Sequence, residues 1–192
     1  MPATQQYLET YAMPRLFVGL RPPRPLRAIA SATMAGVAGA RWQEDAQLHV
    51  TLRFIGEVDG ARAADIADVL ATIRAPALAL ALALSGVGLF DRRGRPTALW
   101  AGVTAREAVT ALHRKVDAVL MRIGIAPDHR AFLPHMTLAR LNAGSGPVDR
   151  WIADHAALAS AEVAIDDVRL FESRLGKGGA SYTTVARYPF AP

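Results

Sequence analysis

Apolar and polar positions along the chain follow two periods, one typical of β-strands and the other of α-helices. Residues 15–20 (RLFVGL) are rich in β-formers and are followed by the Pro22-Pro23 pair, which predicts a first strand that ends in a turn. Apolar residues then recur at helical spacing as far as Gly39, which predicts a helix with Pro25 in its first turn.

The rest of the chain continues this mixture of strands and helices. An apolar stripe at helical spacing predicts the clearest helix over residues 105–123, and Gly124 stands just beyond its end. Turn-forming residues separate most of the strands, so the pattern predicts an α+β fold with mainly antiparallel strands. The other predicted strands are 48–55, 78–90, 97–103, 133–141, 162–173 and 181–190, and the other predicted helices are 60–73 and 148–158.

One short pattern occurs twice. LHVTL at residues 48–52 and PHMTL at residues 134–138 both carry His-x-Thr-Leu on a predicted strand, and each is reached after a predicted helix. Two copies are too few to form a stacked repeat protein. The duplication therefore predicts two similar lobes that face each other.

Alternation along each strand gives the two histidines equivalent surroundings. His49 and Thr51 point to one face of their strand, and His135 and Thr137 do the same on theirs, while the apolar residues between them are free to enter the core. A pseudo-twofold axis between the lobes would bring both imidazoles and both hydroxyls to one point. Phosphodiester hydrolysis can use this set, because one imidazole takes a proton from water, the other protonates the departing oxygen, and hydroxyls hold the non-bridging oxygens.

A structural role for His49 or His135 is the alternative, but the repetition of the His-x-Thr-Leu pattern on two strands favours catalysis. The remaining histidines give no comparable signal. His129 stands beside Asp128 in a predicted loop, and His113 and His155 on predicted helices are interpreted as solvated or packing residues. No metal or other cofactor is expected, since the chain has no His-Glu-x-x-His segment, no cysteine and no Gly-rich phosphate loop ending in Lys-Ser/Thr.

Composition indicates one globular domain. With 192 residues, 52% of them hydrophobic and 20% charged, the chain is expected to form a single bilobal domain over residues 13–192. Residues 1–12 are expected to be an N-terminal extension, either a loose tail or a segment before a true start at Met13. The net charge of +5 weakly favours anionic partners such as nucleic acid. Neither a secretory signal nor a membrane span is evident, so we expect a cytoplasmic location, with no membrane or protein partner.

The paired motifs resemble those of the two-histidine phosphoesterase superfamily, and within it the RNA 2′,3′-cyclic phosphodiesterases, also called 2′-5′ RNA ligase-like proteins. The resemblance covers about residues 15–190, and its matching stretches are RLFVGL, LHVTLRFIGEV, GVGLFDRRGRPTALWAGV, FLPHMTLARL and LFESRLGKGGASYTTVARYPF. It implies two pseudo-symmetric lobes, each a small, mainly antiparallel sheet with helices outside, around a central groove. By the same resemblance His49 is similar to the family's proton donor, His135 to its proton acceptor, and Thr51 and Thr137 to its phosphate-binding hydroxyls.

Two further residues stand five positions after the histidines. The resemblance implies that Phe54 stacks on a base and that Arg140 binds phosphate. Strict alternation would place both side chains on the face away from the histidines, so these roles rest on the resemblance or on a β-bulge. A core phenylalanine and a surface arginine are the alternatives. At a predicted hairpin tip, Arg92, Arg93 and Arg95 form either a contact for the RNA backbone or a solvated turn.

The reaction implied by the resemblance opens a 2′,3′-cyclic phosphate at an RNA end, such as that of a tRNA fragment, to give a 2′-phosphomonoester without a metal. His135 takes the proton of the attacking water, and His49 protonates the departing 3′ oxygen. RNA 2′-5′ ligation, which is the reverse chemistry, remains an alternative, as do a non-catalytic RNA-binding module and a small cyclic-nucleotide phosphodiesterase.

Overall fold

A computed structural model describes residues 13–73, 80–176 and 179–190, and it contains ten strands and four helices in these ranges. The strands are β1 (Arg15–Leu20), β2 (Arg41–Trp42), β3 (Val50–Glu57), β4 (Ala81–Leu82), β5 (Leu84–Arg92), β6 (Arg95–Val103), β7 (His135–Arg140), β8 (Val163–Ala164), β9 (Asp167–Gly176) and β10 (Gly179–Pro189). The helices are α1 (Arg24–Ser31), α2 (Gly60–Leu70), α3 (Arg106–Arg122) and α4 (Asp149–His155).

One antiparallel sheet dominates the fold, and its two halves repeat the same order of elements. The strands follow the order β10-β9-β1-β3-β7-β6-β5, with the short β2 paired to β7 beside this path. In the first half β1, α1, β3 and α2 succeed one another, and in the second half β6, α3, β7 and α4 do so. Strands β3 and β7, which adjoin where the halves meet, share one residue pair, Val50 with Met136, and β2 of the first half also pairs with β7. This arrangement confirms the predicted α+β fold with two similar lobes.

The core lies behind the two His-x-Thr segments. Helix α3 lies on β3, and α2 packs against α3. The apolar residues that alternate with the histidines and threonines are buried, and so are the apolar stripes of α2 and α3, because the periods of strand and helix place these residues on the faces in contact. The buried residues concerned are Val50, Leu52, Met136 and Leu138 on the strands, and Ala63, Ile66, Leu70, Val109, Leu112, Val116, Val119 and Leu120 on the helices.

The first helix is shorter than predicted. It ends at Ser31 instead of continuing to Gly39, and just beyond its end the hydroxyl of Thr33 donates to the carbonyl of Ala30 at 2.8 Å. Beyond it Gly36 and Gly39 have φ values of +85° and +65°, which lie in the left-handed region. The apolar residues between Ser31 and Gly39 therefore lie in successive turns of the chain and not on one helix.

Two predicted strands are each divided between two ladders. Of the strand predicted at 78–90, residues 78–79 lie outside the described ranges, and the rest forms β4, which pairs with β8, and β5, which pairs with β6. The strand predicted at 162–173 is divided in the same way into β8 and β9. Periodicity alone does not show such a division, because the pairing partner of a strand cannot be read from the strand's own residues.

Three further segments of the prediction fall outside the described residues. The proposed extension at residues 1–12 is one of them, and residues 177–178 of the glycine-rich loop between β9 and β10 are another. Residues 191–192 are the third. Among the helices of the described ranges, none combines the length and the hydropathy needed to cross a bilayer.

Candidate active-site groove

The two His-x-Thr segments lie side by side at the junction of the lobes. The residue pair that joins β3 to β7 stands in the middle of both segments. Continued by one residue in each direction, its antiparallel register places His49 opposite Thr137 and His135 opposite Thr51. A cavity of about 1070 Å³, here called the central cavity, is lined by all four side chains. The structure thus brings together the four residues predicted from the duplicated motif.

Both imidazoles are held by the same kind of hydrogen bond. His49 Nδ1–H donates to the carbonyl of Gln47 at 2.6 Å, and His135 Nδ1–H donates to the carbonyl of Leu133 at 2.6 Å. A carbonyl only accepts, so Nδ1 carries the proton and the lone pair of each neutral ring lies on Nε2. Each histidine therefore has Nε2 available for proton transfer.

Aromatic rings enclose both histidines. The ring centroids of Phe17 and Tyr182 lie 4.8 and 4.9 Å from that of His49. On the other side of the junction Phe90 stands edge-on to His135 at 4.8 Å. The sequence analysis did not single out these aromatic residues, although all three lie within the stretches that carry the family resemblance. The rings shield part of each half-buried imidazole from water.

This enclosure lowers the pKa of both histidines. Burial, assisted by the positive charges of His135 and Arg140, lowers the pKa of His49 from 6.5 to about 4. Burial and the charge of Arg140 also lower the pKa of His135. Both imidazoles are consequently mainly neutral at pH 7 in the free protein.

Two β-bulges turn Phe54 and Arg140 toward the histidines. Leu52 is skipped in the pairing of β3 with β1, and Leu138 is skipped in the pairing of β7 with β6. An extra residue reverses the alternation of faces beyond it. Phe54 and Arg140 accordingly line the same central cavity as His49. The bulges thus remove the conflict between strict alternation and the positions implied by the resemblance.

The carbonyl of each bulged residue has a donor from another element. The Leu138 carbonyl accepts from the backbone N–H of Gln43 at 2.8 Å, and the Leu52 carbonyl accepts from His113 Nδ1–H at 2.7 Å. His113 also stacks on Phe132, with ring centroids 4.1 Å apart and planes within 3°. His113 is therefore a packing residue, as one of the two sequence interpretations had it, and it additionally holds the backbone of β3.

A smaller cavity of about 380 Å³, here called the side cavity, adjoins the central one. It shares His49 with the central cavity but not His135. Arg15, Arg41 and Arg140 line it, and its described lining contains no acidic side chain. The side cavity is therefore the more basic part of the groove.

Comparison with known proteins identifies the family. A model described as LigT-like phosphoesterase matches residues 18–100 and 103–182, and each of these stretches contains one His-x-Thr segment. The chain belongs to the LigT-like phosphoesterase family. The resemblance drawn from the paired motifs is thereby confirmed.

Individual relatives agree with this assignment. The chain is 32% identical over 145 residues to the RNA 2′,3′-cyclic phosphodiesterase of Aeropyrum pernix, in a match that covers 74% of this chain and 81% of that one. It is 30% identical over 148 residues to the RNA 2′,3′-cyclic phosphodiesterase of Geobacillus stearothermophilus. That match covers 77% of this chain and 47% of the relative, so the chain spans about half the length of that protein. A solved structure from Thermus thermophilus has a TM-score of 0.74 and 26% identity, and the match covers 92% of this chain and 97% of that one.

No side-chain cluster in the described part of this LigT-like phosphoesterase gathers three or more His, Cys, Asp or Glu residues in a metal-binding arrangement. Asp128 instead forms ion pairs with Arg130 at 2.6 Å and with Arg53 at 3.4 Å, and its hydrogen bonds with Arg130 hold its pKa well below the usual range. Asp128, the acidic residue beside His129, is thus engaged in ion pairs with two arginines.

His155 packs edge-on against Trp151 at 5.0 Å. It is therefore a packing residue, which is one of the two interpretations made from the sequence.

The basic hairpin tip lies at the edge of the groove. Arg92, Arg93 and Arg95 are all exposed. Arg92 lines the central cavity, and together with Arg95 it also lines a third cavity of about 600 Å³. The tip is therefore both solvated and next to the groove, and a contact with RNA stays a prediction.

Proposed function

We propose that this LigT-like phosphoesterase hydrolyses 2′,3′-cyclic phosphates at RNA ends to 2′-phosphomonoesters, with His135 as general base and His49 as general acid. The observation that carries this function is the matched presentation of the two imidazoles. Both are fixed through Nδ1 to a backbone carbonyl, keep Nε2 available, and line one cavity with Thr51 and Thr137. The activity named for the curated relatives supports the same reaction.

The reaction proceeds by proton transfer at the two Nε2 atoms. His135 Nε2 takes a proton from water as the water oxygen bonds to phosphorus, and the bond from phosphorus to the 3′ oxygen breaks. His49 Nε2–H gives its proton to that oxygen, which leaves a 3′ hydroxyl and a 2′-phosphate. The hydroxyls of Thr51 and Thr137 donate to the non-bridging oxygens, where negative charge increases in the transition state.

The lowered pKa values fit these roles in different ways. A general base must be neutral, and the lowered pKa of His135 keeps its imidazole neutral near pH 7. A general acid must carry a proton, whereas His49 has a pKa of about 4 in the free protein. Phosphate oxygens bound beside His49 favour its charged form and raise its pKa. Substrate binding therefore promotes the protonation of His49 that a general acid requires.

Arg140 and Phe54 complete the site in this proposal. The guanidinium of Arg140, which the bulge in β7 turns toward the groove, binds the phosphate by charge-assisted hydrogen bonds. Phe54 stacks on the base of the terminal nucleotide. Residues 13–192 act as one bilobal domain, RNA ends such as those of tRNA fragments are the substrates, and the cytoplasm is the location.

The test is to incubate the purified protein and excess chelator with an RNA oligonucleotide that ends in a 2′,3′-cyclic phosphate, and to identify the product. We expect a 2′-phosphomonoester, and we expect His49→Ala and His135→Ala each to lower the rate by about 10²–10⁴-fold. Because the two histidines act in one step, the double variant should lose little more than the worse single variant. His129→Ala, an exposed histidine outside the cavities, is the control and should retain full activity.

Two outcomes contradict this function. Tight, salt-sensitive binding of the RNA without turnover would indicate a non-catalytic binding module. A double variant that falls by the product of the two single losses would indicate that the histidines act independently.

A further inference from the structure

We propose that the side cavity is a second phosphate site, in which Arg41 and Arg15 bind the phosphodiester on the 5′ side of the terminal nucleotide. This inference rests on the proposed function, because the roles of His49 and His135 set the direction in which the RNA lies. It names what the groove recognises beyond the cyclic phosphate, namely a chain of at least two nucleotides.

Electrostatics provides the first support. Arg41 and Arg140 face each other in the pairing of β2 with β7, so their side chains share one face of the sheet. Two like charges placed directly opposite each other destabilise a sheet. In the described ranges, no carboxylate forms an ion pair with Arg15, Arg41 or Arg140. A bound anion would offset this repulsion.

Gly179 leaves room for the guanidinium of Arg41 beside the side cavity. A Cβ atom on Gly179 would lie 2.7 Å from Arg41 Nη1 and 3.0 Å from its Cζ, so a side chain at this position would displace the guanidinium. Gly179 also has a φ of +122°, which favours glycine. The beginning of β10 thus leaves open the space that the Arg41 guanidinium occupies at the wall of the side cavity.

Arg15 is placed at the same wall by a different contact. Its guanidinium carbon lies 5.0 Å from the ring centroid of Phe54, a cation–π geometry. Phe54 lines both cavities, so Arg15 is held next to the ring proposed to stack on the terminal base. A phosphate that follows this base in the 5′ direction would meet Arg15 and Arg41 together.

The chemistry of the reaction indicates which cavity receives the RNA chain. In-line attack places the water and the departing 3′ oxygen on opposite sides of the phosphorus. With the water at His135, the 3′ oxygen and its ribose lie on the side of His49. The side cavity contains His49 but not His135. The nucleoside and the phosphodiester on its 5′ side therefore extend toward Arg41.

A comparison of two substrates tests this site. A nucleoside 2′,3′-cyclic phosphate carries only the reacting phosphate, whereas a dinucleotide that ends in a 2′,3′-cyclic phosphate also carries the 5′ phosphodiester. Arg41→Gln should lower kcat/KM for the dinucleotide at least about tenfold more than for the mononucleotide, mainly through KM, because a charge-assisted hydrogen bond is lost. The dependence of log KM on log salt for the dinucleotide should become shallower by about one unit.

Two further variants separate position from charge. Gly179→Ala keeps every charge but displaces the Arg41 guanidinium, and it should produce the same preferential loss on the dinucleotide. Arg150→Gln removes an exposed arginine on α4 that lines none of the three cavities, and it should affect neither substrate preferentially. Equal losses of Arg41→Gln on the two substrates would overturn the second phosphate site.

Binding measurements keep this test separate from the proposed function. The affinities of a nucleoside 2′-monophosphate and of a dinucleotide with a 2′-terminal phosphate are measured by calorimetry for the unmodified protein and for Arg41→Gln. A preferential loss of affinity for the dinucleotide supports the site even if neither cyclic substrate is turned over. Equal weakening of both affinities refutes it even if turnover is normal.

Discussion

Replacement of His113 by alanine probes the bulge that directs Phe54 into the groove. His113 Nδ1–H donates to the carbonyl of Leu52, the residue skipped in the pairing of β3 with β1, and Leu52 is 2% exposed. A buried carbonyl left without a donor costs about 1–3 kcal/mol. Loss of the stack on Phe132 costs about 0.5–1.5 kcal/mol more. We therefore expect the free energy of unfolding to fall by about 2–4 kcal/mol, as measured by unfolding in urea.

His113→Ala should also affect substrate binding. Without its donor the bulge is no longer fixed, and Phe54 is presented in more than one direction. We expect KM for an RNA cyclic phosphate to rise more than kcat falls, because the role proposed for Phe54 is to stack on the base and not to transfer a proton. His113→Asn retains an N–H near the position of Nδ1, so it should recover much of the KM effect but not the stacking energy.

The matched control is His155→Ala. His155 is also a helical histidine packed against an aromatic ring, but it lies outside the central cavity. It should leave KM unchanged. The reasoning is wrong if the free energy of unfolding of His113→Ala lies within about 0.5 kcal/mol of that of the unmodified protein and its KM is unchanged. The bulge would then not depend on this side chain.

Two other changes have defined outcomes. The pH profile of kcat/KM reports the ionisation of the free protein. Activity should rise with pH as His135, the base, loses its proton and fall as His49, the acid, loses its proton. Because the pKa values of both histidines are lowered, the optimum of kcat/KM should lie below pH 6.5. The optimum of kcat should lie at a higher pH than that of kcat/KM, because bound phosphate raises the pKa of His49. Coincident optima, or a kcat/KM optimum above pH 6.5, would contradict the assignment of His49 as acid and His135 as base. Gly88→Ala would place a Cβ atom 2.2 Å from the Trp100 ring, so we expect a loss of about 1–3 kcal/mol in stability and altered tryptophan fluorescence. An unchanged unfolding midpoint and spectrum would show that the indole has room to move.

The placement of the four His-x-Thr side chains was readable from the sequence because it depends on residues two positions apart on one strand. Alternation alone places His49 with Thr51 and His135 with Thr137, and the structure confirms that these four side chains line one cavity. The location of Phe54 was not readable in this way. A bulge adds one residue to a strand without changing its composition, and only the pairing with a neighbouring strand reveals it.

Contacts between distant segments were the other limit. His113 gives no local signal, because its partner, the Leu52 carbonyl, belongs to another element. The end of α1 was missed for a related reason, since apolar residues after Ser31 continue a helical spacing while Gly36 and Gly39 turn the backbone. Period and composition describe a residue's own element, whereas its function here depends on the element packed against it.

The presence of two His-x-Thr segments in one chain has a consequence for the two histidines. A chain half as long that paired with its own copy through the same strand would form a homodimer with identical histidines across a true twofold axis. Those histidines would share one environment and could not specialise. Two segments within one chain are free of this restriction, and their surroundings differ at the two bulges, one held by the His113 side chain and the other by the backbone of Gln43. The two segments can therefore differ in function, as the proposed roles of His49 as acid and His135 as base require.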